Sequence, residues 1–345
     1  MNRLTDLLIV GLLAASCPYK GVRVPEDQAF QGPSEASLRG ISAASDSSVW
    51  ASGSGGTVLR STDGGAVWKQ IQVPGAEELD FRDIEAFDAR RAVILASGPG
   101  EASRVYRTED GGLTWTETLR NPDADGFFDG IAFWTPSRGV LYGDPVDGCF
   151  SVWTTRDGGR SWRRVRARDL PPAQPGEHAF AASGAGITTH GIEHAWFVTG
   201  GSVARAFRTE DGGKSWEVSP LPLAQGSPSA GAFGIAFVSR FRGVAVGGDY
   251  ERPDQKEGTL ALTLDGGRSW RAADEPLGGY RSGVTACRPG VLLAVGPNGI
   301  DYLDLNSEHR DALLHGGHSI SYDRTTDAAW ISGPGGRLFH AWASD

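Results

Sequence analysis

The chain has 345 residues, a formal net charge of −9 at pH 7 and 49 glycines. Net negative charge repels a phosphate backbone, so the composition argues against nucleic acid as a partner. Three cysteines in a chain of this length do not make a disulfide framework, and we expect Cys149 and Cys287 to be unpaired and buried.

The amino-terminal segment, MNRLTDLLIVGLLAASC, predicts export. Its apolar stretch over residues 7–15 is too short for a permanent transmembrane helix and follows one early arginine, which is typical of a signal peptide over residues 1–16. Small residues lead directly to Cys17 and resemble an imperfect bacterial lipobox, which makes Cys17 a candidate for lipidation. We expect the mature chain to be secreted, periplasmic or anchored as a lipoprotein, with membrane contact only through that lipid.

One eight-residue phrase occurs five times along the chain: STDGGAVW at 61–68, TEDGGLTW at 108–115, TRDGGRSW at 155–162, TEDGGKSW at 209–216 and TLDGGRSW at 263–270. The phrases recur every 47 or 54 residues, the length of one four-stranded propeller blade. A hydroxyl, an aspartate and two glycines are typical of a hairpin tip, because the aspartate caps amides and the glycines accept positive φ. We assign structural roles to the aspartates and to the tryptophans, whose rings should pack between sheets: Asp63, Trp68, Asp110, Trp115, Asp157, Trp162, Asp211, Trp216, Asp265 and Trp270.

Apolar runs between the phrases predict the remaining strands. Innermost strands should begin near residues 39, 82, 129, 183, 233, 282 and 318, so we predict an all-β fold, a single seven-bladed β-propeller of four-stranded antiparallel blades over residues 17–345. The last blade lacks an outer strand, and residues near 20–30 are available to complete it and close the ring. Trp50, Trp196 and Trp330 recur at one position of the second strand and should be packing residues.

Strand alternation sorts the turns onto two faces. The repeated phrases share one face, whereas the turns between second and third strands and the starts of the innermost strands share the other. The turns of the second face differ from blade to blade, as expected where a rigid scaffold carries a binding site. The alternative is that their polar side chains only solvate the loop ends. The candidate binding residues are Arg39, Arg82, Asp83, Glu101, Asp129, Asp144, Asp147, Glu177, Asp249, Tyr250, Tyr280 and Arg281.

Two short motifs suggest chemistry that their context does not support. Residues 190–194 spell the H-x-x-E-H pattern of zinc sites, which requires a helix, but Gly191 interrupts the segment and a strand follows. GSGGTV at 53–58 resembles a dinucleotide-binding loop, but strands flank it on both sides. We therefore predict no metal and no cofactor. Several candidate carboxylates are able to converge at glycosidase distances, but the sequence assigns no acid and no base.

The five phrases match the Asp-box, or bacterial neuraminidase repeat, pattern S/T-x-D-x-G-x-x-W. One resemblance is therefore to sialidases, which implies a glycoside hydrolase with a tyrosine nucleophile assisted by glutamate, an arginine cluster and an aspartate acid/base. Tyr250 or Tyr280 with Glu101 or Glu177 is the matching pair. Sialidases generally have six blades, and their Arg-Ile-Pro motif corresponds here only to Arg-Val-Pro at 23–25, in the segment assigned to ring closure.

The chain also resembles, from about residue 38 to residue 340, the photosystem II stability/assembly-factor propellers and their relatives in non-photosynthetic bacteria. Repeated G-x-V/I-x-x-x-x-DGG-x-x-W blades and inner strands such as DFRDIEAF and DGIAFW carry this resemblance. It implies seven blades, export and the binding of unassembled membrane-protein subunits without catalysis. We therefore expect an exported, monomeric, non-enzymatic propeller that binds a protein, a peptide or a glycan on the face opposite the phrases. A sialidase-like hydrolase is the alternative.

Overall fold

The computed structural model describes residues 22–23, 29–44, 47–306, 309–313 and 316–343. The described strands form seven four-stranded antiparallel blades, which confirms the predicted all-β, seven-bladed propeller. Two single-turn 3-10 helices, Gly100–Ala102 and Ala167–Asp169, are the helices of the described residues. Within those residues, neither helix has the length and apolar character that crossing a membrane requires.

The strands, numbered in chain order, follow the predicted blades. Two short strands come first, β1 (Val22–Arg23) and β2 (Ala29–Gln31). Blade 1 contains β3 (Leu38–Ala43), β4 (Val49–Gly53), β5 (Thr57–Ser61) and β6 (Lys69–Ile71); blade 2 contains β7 (Phe81–Ala86), β8 (Ala92–Ala96), β9 (Arg104–Thr108) and β10 (Thr116–Arg120); blade 3 contains β11 (Phe128–Thr135), β12 (Arg138–Val146), β13 (Cys149–Thr155) and β14 (Arg163–Arg164). After β15 (Glu177–His178), blade 4 contains β16 (Ile187–His190), β17 (His194–Val198), β19 (Arg205–Thr209) and β20 (Glu217–Pro220), with β18 (Gly200–Gly201) between its second and third strands. Blade 5 contains β21 (Ala230–Phe237), β22 (Gly243–Asp249), β23 (Leu260–Thr263) and β24 (Arg271–Ala272); blade 6 contains β25 (Gly283–Ala286), β26 (Val291–Gly296), β27 (Gly299–Asp304) and β28 (His309–Leu313); blade 7 contains β29 (Ser319–Asp323), β30 (Ala328–Ser332) and β31 (Arg337–Ala343).

The outer edge of blade 7 is paired by the amino-terminal strands. Both β1 and β2 run antiparallel to β31, with Val22 opposite Ala343 and Gln31 opposite Arg337. They occupy the outermost position that β6 occupies in blade 1. Blade 7 also packs directly on blade 1, where Trp330 shares a buried apolar cluster with Leu59. The first and last parts of the described chain therefore meet in one blade.

The turns of the propeller lie on two faces, because every innermost strand runs in the same direction. We call the five turns that carry the repeated phrase the box turns (61–68, 108–115, 155–162, 209–216 and 263–270). The face that they share with the turns between first and second strands is the box face. The turns between second and third strands and the starts of the innermost strands lie on the other face, which we call the cavity face.

Each box turn is held by its own hydroxyl and carboxylate. In the second turn, Thr108 Oγ1 donates to Asp110 Oδ1 at 2.9 Å and accepts from the amide of Gly112 at 2.9 Å. Asp110 Oδ1 also accepts from the amide of Thr114 at 2.9 Å. Hydrogen bonds from the Thr114 side chain and amide lower the pKa of Asp110 to about 2. The same contacts recur in the other four turns.

The second glycine of a box turn brings that turn against the preceding blade. Gly65 has a φ of 85°, and a Cβ added there would lie 2.0 Å from Trp330 of blade 7. In blade 5, a Cβ on Gly267 would lie 3.1 Å from Trp196 of blade 4. Trp196, Trp330 and Trp50 are all buried, as the sequence predicted. The repeated turns therefore both close their own hairpins and join neighbouring blades.

Candidate functional site

A cavity of about 500 Å³ opens at the centre of the cavity face. Six of the twelve predicted binding residues line it: Arg39, Arg82, Asp129, Asp144, Tyr250 and Tyr280. The two arginines and Asp129 sit at the starts of innermost strands in blades 1, 2 and 3. These positions converge because the innermost strands of a propeller surround its axis.

Two guanidinium groups face the cavity from adjacent blades. Arg82 Nε donates to Asp80 Oδ2 at 2.8 Å, and its Nη1 donates to the carbonyl of Ala181 at 3.3 Å. The Arg39 side chain has no hydrogen bond or ion pair within the described part of the chain. Burial, and then the neighbouring positive charge of Arg82, lower the pKa of Arg39. An anionic or carbonyl oxygen in the cavity would relieve both effects.

A buried carboxyl group lies at the wall of the same cavity. Asp129 is 1% exposed, and its Oδ2 has no hydrogen-bond partner among the described residues. Burial and the negative charge of Asp144 raise the pKa of Asp129 well above its ordinary value, although Arg82 acts in the opposite direction. Asp144 Oδ1 accepts from the amide of Ala179 at 2.8 Å, and burial raises its pKa as well. A carboxyl that stays protonated offers a hydrogen-bond donor to a ligand.

An aromatic cluster forms another part of the cavity wall. Phe180 and Phe233 stack with their ring centroids 3.8 Å apart, and Tyr280 meets Phe233 edge-on at 4.7 Å. Tyr250 packs edge-on against both phenylalanines and remains 48% exposed. Burial raises the pKa of Tyr280, which keeps this phenol neutral. Such a wall accepts apolar or aromatic groups of a ligand.

The loop that carries Phe180 is anchored by a buried ion pair. Glu177 pairs with Arg205, and its carboxylate also accepts from Thr199 Oγ1 at 2.6 Å. Beneath the loop, β18 approaches β21 so closely that a Cβ on Gly200 would lie 2.6 Å from the Cα of Gly231. These contacts fix residues 178–182 over the channel. The loop is therefore a built wall of the cavity.

Sequence reasoning missed Phe180 and Phe233, the centre of the aromatic wall. Phe180 lies in the loop between β15 and β16 and Phe233 lies in β21, and neither has the polar side chain that predicted the other binding residues. One signal was available, since the repeat spacing rises from 47 to 54 residues where the loop is inserted. An insertion on a variable face is a reasonable place to look for a binding wall.

Three further predicted residues take part in contacts away from the cavity. Asp83 lies deeper in the channel, where its two carboxyl oxygens accept from the amides of Ile84 at 2.8 Å and Ile131 at 2.7 Å, and burial raises its pKa to about 7. Glu101 is exposed and pairs with Arg120 at 3.3 Å. Asp249 is 3% exposed and pairs with Arg252 at 2.8 Å.

The last three predicted residues also lie outside the cavity lining. Glu177 anchors the loop described above. Asp147 is at the exposed tip of the β12–β13 turn, with a φ of 53°. Arg281 is 1% exposed, and its Nε donates to Asp301 Oδ2 at 2.5 Å. Burial and pairing therefore separate the twelve predicted residues into a lining set and a supporting set, and Asp83 lies below the cavity, deeper in the channel.

The motifs that resembled other sites have different structures. Residues 190–194 form a β-hairpin in which His190 pairs with His194, with Gly191 at a φ of 62° in the turn, whereas the zinc pattern requires a helix. In the described ranges, no cluster of three or more His, Cys, Asp or Glu residues is arranged to hold a metal ion. Cys149 and Cys287 are unpaired as predicted, but both are partly exposed rather than buried.

Solved structures show that this fold is shared. YCF48 from Cyanidioschyzon merolae has a TM-score of 0.66 and 15% identity over 91% of this chain and 99% of that chain. YCF48 bound to D1 peptide has a TM-score of 0.62 and 16% identity, covering 95% and 97% of the two chains. The RRP9 WD40 repeats have a TM-score of 0.64 and 11% identity, covering 94% and 100%. No protein-family model and no curated protein matches the chain. At these identities the likeness shows the propeller fold.

Proposed function

We propose that this chain is an exported, non-enzymatic binding protein that recognises a peptide segment of a protein partner in its central cavity. One observation carries the proposal: the unpaired Arg39 guanidinium, the unpartnered Oδ2 of Asp129 and the Phe180–Phe233 wall face one opening. A peptide offers the complementary groups, namely carboxylates, backbone carbonyls and apolar side chains. A cavity of about 500 Å³ has room for a few such side chains.

The fold neighbours and the amino-terminal sequence support two parts of this proposal. YCF48 is described with a bound D1 peptide, and we extend that mode of binding to the present propeller. The identity of the partner is left to experiment, since the shared fold does not carry it. The predicted signal peptide over residues 1–16 and the candidate lipidation at Cys17 lie outside the described residues. On the strength of that sequence prediction we propose that the partner is in the cell envelope.

Contacts of the candidate glutamates favour binding over glycoside hydrolysis. A sialidase-like mechanism needs a glutamate beside the nucleophilic tyrosine. Glu101 is engaged by Arg120, and Glu177 is engaged by Arg205 and Thr199, and neither lines the cavity beside Tyr250 and Tyr280. These contacts leave both tyrosines without the partner that the hydrolase alternative requires.

The proposal is tested by selecting phage-displayed peptides on the full chain and measuring the affinity of a selected peptide by fluorescence polarisation. We expect Arg39→Gln and Asp129→Asn each to weaken binding about tenfold, the effect of losing one charge-assisted or buried hydrogen bond. Arg240→Gln, on the box face, is the matched control and should bind like the parent. Selection of no peptide, or equal affinity in all variants, would contradict the proposal. Turnover of fluorogenic sialosides would favour the hydrolase.

A further inference from the structure

Exposed large hydrophobic side chains are concentrated on the box face. Six such residues are exposed within the described ranges, and only Tyr250 belongs to the cavity face. The other five lie on box-face turns of blades 1, 2, 4 and 5: Val67 (57% exposed), Leu113 (84%), Ile192 (61%), Phe241 (45%) and Leu264 (68%). Each is at or near a turn tip and none belongs to a packed apolar cluster.

The spacing of these side chains indicates what kind of surface they fit. A protein partner usually requires a contiguous, shaped apolar patch. Val67, Leu113 and Ile192 lie on three different blades, and Phe241 and Leu264 share a fourth, so the five tips are spread over four blades rather than gathered on one. A lipid bilayer accepts separate insertions, because its acyl boundary is fluid and each inserted side chain is solvated independently.

Unpaired positive charges accompany the apolar tips. The box-face turns carry five exposed cations that have no salt bridge in the described part of the chain: Arg90, Arg156, Lys214, Arg240 and Arg324. The net charge of the whole chain is nevertheless −9. These cations can therefore contact anionic groups without first breaking a salt bridge.

Most acidic groups of the box-face turns are already engaged. Glu109 is bound by Arg107 at 2.7 Å and also by Arg160, and Glu210 is bound by Arg208 at 2.7 Å and Arg268 at 2.6 Å. The carboxylates of the box turns accept backbone amides. Among the exposed acids, Glu193 and Asp63 have no cationic partner in the described ranges.

The cavity face carries most of the exposed acids, together with the exposed cations Lys256 and Arg337. Its turns hold the exposed acids Glu77, Glu78, Asp125, Asp147, Glu251 and Glu257. An anionic surface would therefore repel the cavity face more strongly than the box face, within about one Debye length of 8 Å at physiological salt. The charge distribution orients the propeller with its box face toward such a surface.

The path of the chain into the propeller gives the same orientation. β31 runs from the cavity face to the box face, and Val22 pairs with Ala343 at its box-face end. The chain therefore enters the ring from the box face. Cys17 precedes Val22 by five residues, a reach of at most about 18 Å when extended. A membrane anchor on Cys17 would be tethered to the rim of the face that carries the apolar tips.

We propose that the box face docks on an anionic phospholipid bilayer. The apolar side chains at the turn tips enter the headgroup region, and the unpaired arginines and lysine contact lipid phosphates. The central cavity then opens away from the bilayer. This docking does not depend on what occupies the cavity.

Vesicle cosedimentation with the full chain tests the docking. The probe is vesicles that contain phosphatidylglycerol, compared with vesicles of phosphatidylcholine alone. The test variant combines Leu113→Asp, Phe241→Asp and Leu264→Asp, and the matched control is Tyr250→Asp on the cavity face. We expect the triple variant to bind phosphatidylglycerol vesicles at least about tenfold more weakly than the parent, with an unchanged Tm because these side chains are exposed. The control should bind like the parent, and the parent should bind phosphatidylcholine vesicles more weakly.

A polarity-sensitive fluorophore separates docking of this face from binding through the amino-terminal segment alone. It is attached at Leu113→Cys or at Tyr250→Cys, in full chains whose native cysteines are replaced by serine. Vesicles should shift the emission of the probe at position 113 to shorter wavelength and leave position 250 unchanged. Absence of vesicle binding by the parent, equal binding by the triple variant, or an equal shift at both positions would each overturn the proposal.

Discussion

Removal of the Arg281 side chain should destabilise the propeller, because this residue holds a buried charge in place. Arg281 and Asp301 are 1% and 4% exposed and are joined by a 2.5 Å hydrogen bond. Arg281 Nη1 also donates to the carbonyl of Tyr280 at 2.9 Å and to Asn298 Oδ1 at 2.7 Å. In Arg281→Ala, the carboxylate of Asp301 stays buried without its cation. Loss of one partner of such a pair costs about 3–5 kcal/mol.

That cost is large enough to measure by calorimetry. An entropy of unfolding of about 2.1 cal/mol/K per residue, over the 345 residues of the chain, amounts to about 0.7 kcal/mol/K. A loss of 3–5 kcal/mol therefore lowers Tm by about 4–7 °C. The comparison is made between parent and variant at the same pH and scan rate.

Two companion variants identify the cause. Arg281→Met combined with Asp301→Leu removes both charges and should recover most of the lost stability, since an apolar pair of similar volume replaces the ion pair. Arg271→Ala, which breaks the exposed pair with Asp274, should change the free energy of unfolding by less than about 1 kcal/mol. An unchanged Tm for Arg281→Ala, or a double variant less stable than the single one, would refute the structural role of Arg281.

Three other outcomes are expected. Thr108 is 1% exposed, and Thr108→Val removes the hydroxyl that accepts from the Gly112 amide. The free energy of unfolding should fall by about 1–3 kcal/mol, measured as a lower urea midpoint. An unchanged midpoint would contradict the role of the box-turn hydroxyl. Deletion of residues 1–31 removes both pairings with the last strand and should lower Tm, whereas deletion of residues 1–16 should not; equal Tm values would argue against ring closure by this segment. Burial and a neighbouring carboxylate raise the folded-state pKa of Asp129 above 3.8, so its stabilising contribution is complete below that pH and is lost as the pH rises through the folded-state pKa. Because the side chain of Asp129→Asn cannot ionise, Tm should decline less steeply above about pH 4 in this variant than in the unmodified chain. Parallel profiles of Tm against pH would show that Asp129 does not titrate as described.

Positions that are decided by the local chain were predictable. The hydroxyl, aspartate and glycines of each phrase form contacts within five residues of one another, so the phrase carries its own turn wherever it occurs. Its spacing then predicted the length of one blade, and the seven starts of innermost strands predicted the number of blades. The starts of the innermost strands had to face the axis, which brought Arg39, Arg82 and Asp129 to the cavity.

Positions decided by distant partners were not predictable. Phe180 and Phe233 stack across 53 residues of chain, and Arg281 finds its carboxylate 20 residues away. An arginine on a turn looks the same in sequence whether it faces solvent or a buried aspartate. The separation of lining from supporting residues therefore appears only when the blades are assembled.

The sequence by itself determined the blade, the number of blades and the assignment of every turn to one of two faces, because these follow from short-range hydrogen bonding and strand alternation. Only the tertiary structure decided which polar groups remain without partners and how exposed charge divides between the faces. Desolvation and ion pairing depend on what packs around a side chain, and in a ring of blades most of those neighbours come from another repeat.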